Sequence, residues 1–106
     1  MKQVMKMKKI IIVEDDERLR EELKILLENN GYEARILRTF DHAADALIEM
    51  DADLVLLDIM IPGINGQQVL KQLRAKSDVP VIMVTSKNNE VDEVLSMSYG
   101  ADDYIT

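Results

Sequence analysis

Acidic side chains stand at the carboxyl ends of two apolar segments that have the composition of buried strands. Glu14, Asp15 and Asp16 follow KKIIIV, and Asp58 follows LVLL. An unpaired charge inside a protein costs several kcal/mol, so a carboxylate there needs either a structural partner or a chemical task. A third apolar segment, PVIMVT, ends on the hydroxyl of Thr85. These five side chains are the candidates for chemistry.

Anionic oxygen ligands gathered at one place favour a hard cation. Carboxylates about 6 Å apart repel one another by roughly 3 kcal/mol per pair at an effective dielectric near 20. Mg²⁺, or Mn²⁺ in its place, would offset that repulsion, and Mg²⁺ keeps coordination positions for a phosphate oxygen. Asp58 would then be a nucleophile toward phosphorus, giving an aspartyl phosphate to which the Thr85 hydroxyl donates a hydrogen bond. Met60 would add only its backbone carbonyl.

Acidic residues at strand ends also have a purely structural explanation. They often cap the next helix and favour the positive end of its dipole. This explanation is the better one for Asp16 taken alone, and it stays open for Asp58 taken alone. The joint occurrence of the acidic cluster, Asp58 and Thr85 at three strand ends favours the chemical interpretation.

The elements that must position these residues alternate between strand and helix patterns. Apolar, β-branched runs predict strands at residues 8–13, 32–37, 53–57, 80–85 and from residue 103 onward, the second at a sheet edge. Thr39 is the predicted N-cap of the second helix, and Gly31 and Gly100 end the first and fourth. Apolar spacing predicts four helical stripes: Leu19/Leu23/Leu26/Leu27, Phe40/Ala44/Leu47/Ile48, Gly66/Val69/Leu70/Leu73 and Val91/Val94/Leu95/Ser98.

Such alternation predicts an α/β fold with a parallel sheet, right-handed crossovers and helices on both faces. Ligands of open parallel sheets bind outside the carboxyl ends of the strands. If the first, third and fourth strands are neighbours, the candidate residues therefore converge on one pocket.

Length and composition limit the class of protein. The 106 residues suffice for one domain, and the net charge of −7 argues against a nucleic-acid-binding surface. The absence of cysteine excludes disulfides and thiolate metal sites and fits a reducing compartment, so we expect a cytoplasmic protein. No apolar run approaches the roughly 18 residues of a membrane span. The basic start is not followed by a signal-peptide core, so we interpret residues 1–7 as a leader and 8–106 as the domain.

Four blocks of the sequence resemble the receiver domains of two-component response regulators. They are IIIVEDD, DLVLLDIMIPGINGQQVLKQLR, VPVIMVTSK and GADDYIT, and they occur in the order and spacing of that family. The resemblance is strongest to the OmpR/PhoB subfamily, whose members join a receiver to a winged-helix DNA-binding domain. It implies a doubly wound, flavodoxin-like (CheY-like) fold with strand order 2-1-3-4-5.

The resemblance also implies a role for each residue at the acidic site. Asp58 looks like the phosphoacceptor, and Asp15 looks like the direct Mg²⁺ ligand. Glu14 is similar to the acid that holds the metal, often through water. Met60 would supply a backbone carbonyl to the same metal.

Four further residues are similar to the switch and loop positions of the family. Thr85 looks like the switch hydroxyl that moves to meet the phosphoryl group, and Tyr104 looks like the aromatic switch that turns inward on activation. Pro62 and Gly66 would shape the loop after the phosphorylation site.

As a function, the resemblance implies a signalling domain rather than an enzyme acting on an external substrate. A receiver takes its phosphoryl group from the phosphohistidine of a sensor histidine kinase or from small acyl phosphates. It catalyses this transfer and usually its own slow dephosphorylation. DNA would be a partner only through an output domain that is absent from this chain, and no membrane partner is implied.

One departure from the family pattern concerns the end of the sequence. The pattern continues past GADDYIT with Lys-Pro and a fifth helix, whereas the chain ends at Thr106. We therefore expect a piece of a longer regulator that lacks the fifth helix, with apolar surface exposed on the first, third and fourth strands. That surface, or the edge of the fifth strand, makes a homodimer a candidate assembly.

Three other classes of protein share some of these sequence features. A phosphorylation-independent interaction module is favoured by the missing lysine and opposed by the retained Glu14, Asp15, Asp58 and Thr85. A phosphatase of the haloacid dehalogenase type requires a second aspartate where Met60 stands. A nucleotide-binding Rossmann domain requires a glycine-rich turn after the first strand, which VEDDERLR lacks.

Overall fold

The computed structural model describes residues 8–61, 63–84 and 96–105. The predicted leader, residues 1–7, lies outside this part of the chain. The strands are β1 (Lys9–Val13), β2 (Glu33–Ile36), β3 (Leu54–Asp58), β4 (Met60–Ile61), β5 (Ile64–Asn65), β6 (Val81–Val84) and β7 (Asp103–Ile105). The helices are α1 (Glu17–Asn29), α2 (Ala43–Met50) and α3 (Gly66–Arg74), and residues 96–98 are also helical.

The main sheet confirms the predicted fold class and strand order. Its five strands run in the order β2-β1-β3-β6-β7, and every neighbouring pair is parallel. In terms of the predicted strands this order is 2-1-3-4-5, with β2 at an edge as its alternating pattern indicated. The sequence did not predict the short antiparallel pair of β4 and β5.

Strand register brings the carboxyl ends of three strands to the same level. Val13 of β1 lies beside Leu57 of β3, and Asp58 lies beside Val84 of β6. The residue after Val13, the acid Glu14, is therefore directed to the same edge of the sheet as Asp58. The strands β1, β3 and β6 are thus adjacent, which is the condition on which the predicted convergence of the candidate residues depended.

One face of the sheet carries the main hydrophobic core. The spacing of α3 predicted its buried side correctly, since Gly66, Val69, Leu70 and Leu73 are all buried there. In α2 the buried side is shifted by one residue, because Ala43 is buried whereas the predicted Ile48 is 36% exposed. The core from the sheet and these two helices includes Ile11, Val13, Val55, Leu57, Val81, Met83, Ala43, Ala44, Leu47, Val69, Leu70 and Leu73.

The opposite face of the sheet is covered unevenly. Helix α1 packs on β1 and β2, and Ile10 and Ile12 are buried. The expectation of exposed apolar surface on the first strand is therefore wrong, because α1 covers that strand. Leu56 and Ile82, on β3 and β6, are half-buried, and the coverage decreases toward β7, where Ile105 is 49% exposed.

The helix α1 illustrates the same uneven coverage. It buries none of its residues completely. Leu19, Leu23 and Leu27 of the predicted stripe are half-buried, but Leu26 is 58% exposed. The apolar spacing thus identified the side of α1 that faces the sheet and overestimated its width.

Local capping explains where two of the helices begin and end. Asp16 is the N-cap of α1, and its Oδ1 accepts a hydrogen bond of 3.1 Å from the Leu19 amide. Gly31, with φ +89°, provides the left-handed residue after that helix, as predicted. The predicted N-cap Thr39 is wrong for α2: the Leu37 amide still bonds to the Ile12 carbonyl, so the chain stays extended and the helix begins only after His42.

The side chain of Arg74, the last residue of α3, joins the two segments that lead into β6 and β7, at the amino end of the sheet. Its Nε donates to the Gly100 carbonyl at 2.9 Å, and its Nη1 donates to the Val79 carbonyl at 2.6 Å. Its Nη2 contacts Asp102 Oδ2 at 2.9 Å, and the same oxygen accepts the Val81 amide at 2.8 Å. We call these contacts the Arg74 clamp. It fixes the approaches to β6 and β7 relative to α3.

Arg74→Met should lower the free energy of unfolding by about 2–4 kcal/mol, because it keeps the aliphatic packing and leaves carbonyls and a carboxylate without their charged donor. Urea unfolding followed by circular dichroism measures this change.

The matched control is Arg18→Met, which removes an exposed ion pair with Glu22 on α1. Exposed pairs at this helical spacing contribute at most about 0.5 kcal/mol, so the control should unfold almost as the parent does. Equal losses in both variants would contradict the role assigned to the clamp.

Candidate functional site

Three carboxylates converge at the carboxyl edge of the sheet. Glu14 follows β1, Asp15 comes next in the chain, and Asp58 is the last residue of β3. One carboxylate oxygen from each lies within 4.8 Å of the other two. Glu14 and Asp58 are buried, whereas Asp15 is exposed. The cluster therefore has a closed side formed by the sheet and an open side toward solvent.

Backbone amides of the two loops support the buried carboxylates. Glu14 Oε1 accepts the Asp16 amide at 3.0 Å, and Asp58 Oδ1 accepts the Met60 amide at 3.3 Å. Each bond closes a turn of two residues that holds its carboxylate at the strand end. The Met60 side chain is 57% exposed, so it points away from the core.

The electrostatics of the site oppose full ionisation. Burial raises the pKa of Glu14 to about 7, and the nearby carboxylates of Asp58 and Asp15 add to this effect, while the Asp16 amide opposes it. Burial also raises the pKa of Asp58, against the stabilising hydrogen bonds from the Met60 amide and from Glu14. A protonated Glu14 that donates to an ionised Asp58 is the arrangement these two shifts favour. A divalent cation would replace that shared proton, because oxygen-only anionic ligands fit a hard metal ion.

Gly66 allows the chain to return close to Asp58. A Cβ at Gly66 would overlap the Asp58 carbonyl oxygen and would lie 2.9 Å from the Ile59 Cα. The Gly66 amide donates to the Ile59 carbonyl at 2.7 Å. Asn65 caps α3 by accepting the Gln67 amide at 2.7 Å. The predicted loop-shaping role of Pro62 lies outside the described residues.

Two further predicted site residues lie wholly or partly outside the described residues. Thr85 lies outside the described residues, and β6 is described as far as Val84. Tyr104 lies in β7, in register with Met83 of β6, and its side chain is outside the described part. The structure thus brings Glu14, Asp15 and Asp58 together and leaves the switch residues as predictions.

The sequence interpretation missed a buried polar pair next to the site. Gln67 Nε2 donates to Ser96 Oγ at 3.2 Å, and both side chains are buried. Ser98, placed on the buried stripe by the apolar pattern, is exposed. A signal for Gln67 existed, since it lies three residues before Leu70 and hence on the buried side of α3. The remaining residues of that predicted fourth stripe, 91–95, lie outside the described part.

The fold and the site together define a class of protein: a parallel α/β domain with an acidic, oxygen-only site at the carboxyl edge of its central strands. Comparison with protein families narrows this class. Residues 10–106 match the response regulator receiver domain. The chain belongs to that family.

Relatives of known name support the assignment. The chain is 47% identical over 100 residues to the sensory transduction protein RegX3 of Mycobacterium tuberculosis, covering 94% of this chain and 44% of that protein. It is 45% identical over 97 residues to the DNA-binding response regulator MtrA of Mycobacterium leprae, covering 92% and 43%. The chain therefore spans less than half the length of these relatives, which are OmpR/PhoB-type regulators.

Solved structures give the same fold. The BeF3-activated N-terminal receiver domain of Klebsiella pneumoniae RstA superposes with a TM-score of 0.87 at 33% identity, covering 92% of this chain and 84% of that one. The response regulator TrrA of Thermotoga maritima, in complex with Mg²⁺-BeF, superposes with a TM-score of 0.83 at 34% identity, covering 94% and 86%. Within residues 8–61, 63–84 and 96–105, no helix combines the length and apolar character needed to cross a membrane.

The metal-free protein should lose stability as the pH rises from about 5 to about 8. The unfolded chain releases the Glu14 proton near pH 4.5 and the folded protein only near pH 7, so the folded state binds more protons in this window. The stabilisation is complete below the lower value and is lost as the pH passes the upper one. Thermal unfolding in the presence of a chelator should show a midpoint lower by on the order of 5 °C at the alkaline end.

Glu14→Gln removes this titrating group and should flatten the dependence on pH. Glu21→Gln, on an exposed position of α1, is the matched control and should keep the dependence of the parent. A parent midpoint that rises between the two pH values would contradict the assigned proton linkage.

Proposed function

We propose that this chain is the phosphoacceptor part of a two-component response regulator, which accepts a phosphoryl group on Asp58 with Mg²⁺ or Mn²⁺ bound beside it. The single observation that carries the proposal is the cluster of Glu14, Asp15 and Asp58 within 4.8 Å at the carboxyl edge of the sheet. The relation to the Mg²⁺-BeF complex of TrrA supports it, because the two chains share fold and family.

The cluster combines a nucleophile and metal ligands in this proposal. An Asp58 carboxylate oxygen attacks phosphorus, and the new O–P bond replaces the bond from phosphorus to the donor nitrogen or oxygen, whose electron pair leaves with the donor. Asp15, Glu14 and the Met60 carbonyl would hold the metal with Asp58. A divalent cation held there would supply positive charge beside the phosphoryl oxygens, which otherwise approach a cluster of carboxylates.

Thr85 and Tyr104 complete the proposal as switch residues. The Thr85 hydroxyl would donate a hydrogen bond to a phosphoryl oxygen on Asp58. The side chain of Tyr104, on β7, would turn inward in response. Support for this part comes from the sequence blocks and from strand register, since Val84, the residue before Thr85, lies beside Asp58. The same site would catalyse its own slow dephosphorylation, so the domain is a signalling device rather than an enzyme for external substrates.

The proposed partners follow from the family. A sensor histidine kinase would be the phosphodonor. DNA binding would belong to an output domain outside this sequence, as the name of the relative MtrA suggests for that protein. A homodimer through the β7 side of the sheet is supported by the exposed Ile105 and the half-buried Ile82. Sedimentation of a pure monomer at high concentration would exclude it.

Asp58→Asn should abolish covalent phosphorylation and keep the fold, because the amide is nearly isosteric and is a much weaker nucleophile. Incubation with Mg²⁺ and a small acyl phosphate, followed by intact-mass measurement, should show one phosphoryl adduct on the parent and none on the variant.

The matched control is Asp16→Asn, which keeps an oxygen to cap α1 and changes an acid outside the cluster. It should retain the adduct. An adduct on Asp58→Asn would identify a different acceptor, and no adduct on the parent, with Mg²⁺ still bound, would favour the phosphorylation-independent interaction module.

Asp15→Asn should weaken Mg²⁺ binding by at least about tenfold, because it removes the exposed anionic ligand of the cluster. Without metal the variant should unfold at the same or a higher temperature than the parent, since repulsion within the cluster is relieved. Titration calorimetry and thermal unfolding in chelator measure the two effects, with Asp16→Asn as the control. A lower metal-free midpoint would show that Asp15 has a stabilising structural role instead.

A further inference from the structure

A buried side-chain hydrogen bond connects the helix next to the site with the segment that leads into β7. Gln67 Nε2 donates to Ser96 Oγ at 3.2 Å across 29 residues of sequence. Gln67 is 7% exposed and Ser96 is 0% exposed. A polar pair in such surroundings is strongly maintained, because losing one partner leaves the other desolvated without this bond.

On one side, this hydrogen bond is coupled tightly to Asp58. Gln67 follows Gly66, where a Cβ would overlap the Asp58 carbonyl oxygen and whose amide bonds to the Ile59 carbonyl. The Gln67 amide is held in turn by Asn65. Any displacement of the backbone at Asp58 is therefore transmitted to the start of α3 without a flexible joint.

On the other side, Ser96 is joined to β7 through backbone hydrogen bonds. The Ser96 carbonyl accepts the Ala101 amide at 3.0 Å, and the next amide, that of Asp102, donates to the Val81 carbonyl at 2.8 Å. The Arg74 clamp holds Gly100 and Asp102 at the far end of this segment. Residues 96–105 thus have one anchor near the site and a second anchor at the opposite edge of the sheet.

We propose that the Gln67–Ser96 hydrogen bond couples the state of the Asp58 site to the position of residues 96–105, with the Arg74 clamp as the fixed point. Gln67 and Ser96 act as positioning residues in this proposal, because their effect is exerted through the backbone around Gly66 and not on the carboxylates themselves. The inference rests on the proposed function and adds to it the route by which an occupied site changes a distant surface.

The bond suits this task better than the sheet does. Strand pairing between β3, β6 and β7 also connects the two regions, but a ladder of backbone hydrogen bonds changes only if the sheet itself opens. A side-chain bond has two discrete states, made and broken, and a change between them leaves the sheet closed, although breaking the bond costs the desolvation of the two buried groups. Coupling between distant regions requires such a two-state element.

The test compares hydrogen exchange of the amides of residues 101–105 with and without Mg²⁺ plus beryllofluoride, a mimic of the phosphoryl group. The readout is the ratio of exchange rates in the two conditions, while amide chemical shifts of Ile59 and Met60 report occupancy of the site. In the parent this ratio should differ clearly from one. The departure of this ratio from one should be about fivefold smaller than in the parent in each of three variants: Gln67→Met, Ser96→Ala and the double variant.

Two features separate this coupling from a general loss of stability. The double variant should lose no more coupling than either single variant, because both remove the same bond. Ile10→Val, a buried substitution on β1 remote from Gln67, lowers stability and should leave the ratio unchanged.

The possible failures are distinguishable. If the parent shows no shift at Ile59 and Met60, the proposed function fails and this inference fails with it. If those shifts occur but residues 101–105 do not respond, or respond equally in all variants, the inference is overturned and the proposed function stands.

Discussion

Mutual repulsion among carboxylates is the constraint on which this structure depends. Glu14, Asp15 and Asp58 lie within 4.8 Å of one another, and two of them are buried. Such a cluster does not form by its own interactions, since every pair in it is unfavourable when ionised. It exists because β1 and β3 are adjacent parallel strands that end at the same level. The sheet imposes the site, and the raised pKa of Glu14 expresses first the cost of burying this carboxylate and second its repulsion by Asp58 and Asp15.

The free energy that offsets this cost comes from elsewhere in the molecule. The apolar core between the sheet and the helices α2 and α3 contains fully buried residues such as Leu57, Leu70 and Met83. Arg74 adds charged hydrogen bonds at the opposite edge of the sheet, far along the strands from the acids. The stabilising contacts and the repelling carboxylates are thus separated in space. Binding at the acidic edge can therefore change the local electrostatics without loosening the core.

Much of the fold and the core of the site follow from local patterns in the sequence. Convergence of Glu14 with Asp58 was predictable, because parallel strands direct their carboxyl ends to one edge. The start of α2 was not, because the Leu37 amide continues the pairing of β2 with β1 and because His42, directly before the helix, has a left-handed backbone with φ +53°. Apolar spacing also could not distinguish Ser96 from Ser98, since the preference for Ser96 comes from a partner 29 residues away, Gln67.

The buried pair and the acidic cluster share a physical character. Both place polar groups where burial penalises them, and both are tolerated only through specific partners. A cation would be the natural partner of the cluster, whereas Gln67 has a partner in Ser96. Gly66 connects the two without space for a Cβ. In the proposed coupling, a change in the backbone at Asp58 would therefore reach Gln67, and from there the buried bond would either carry it to Ser96 or break.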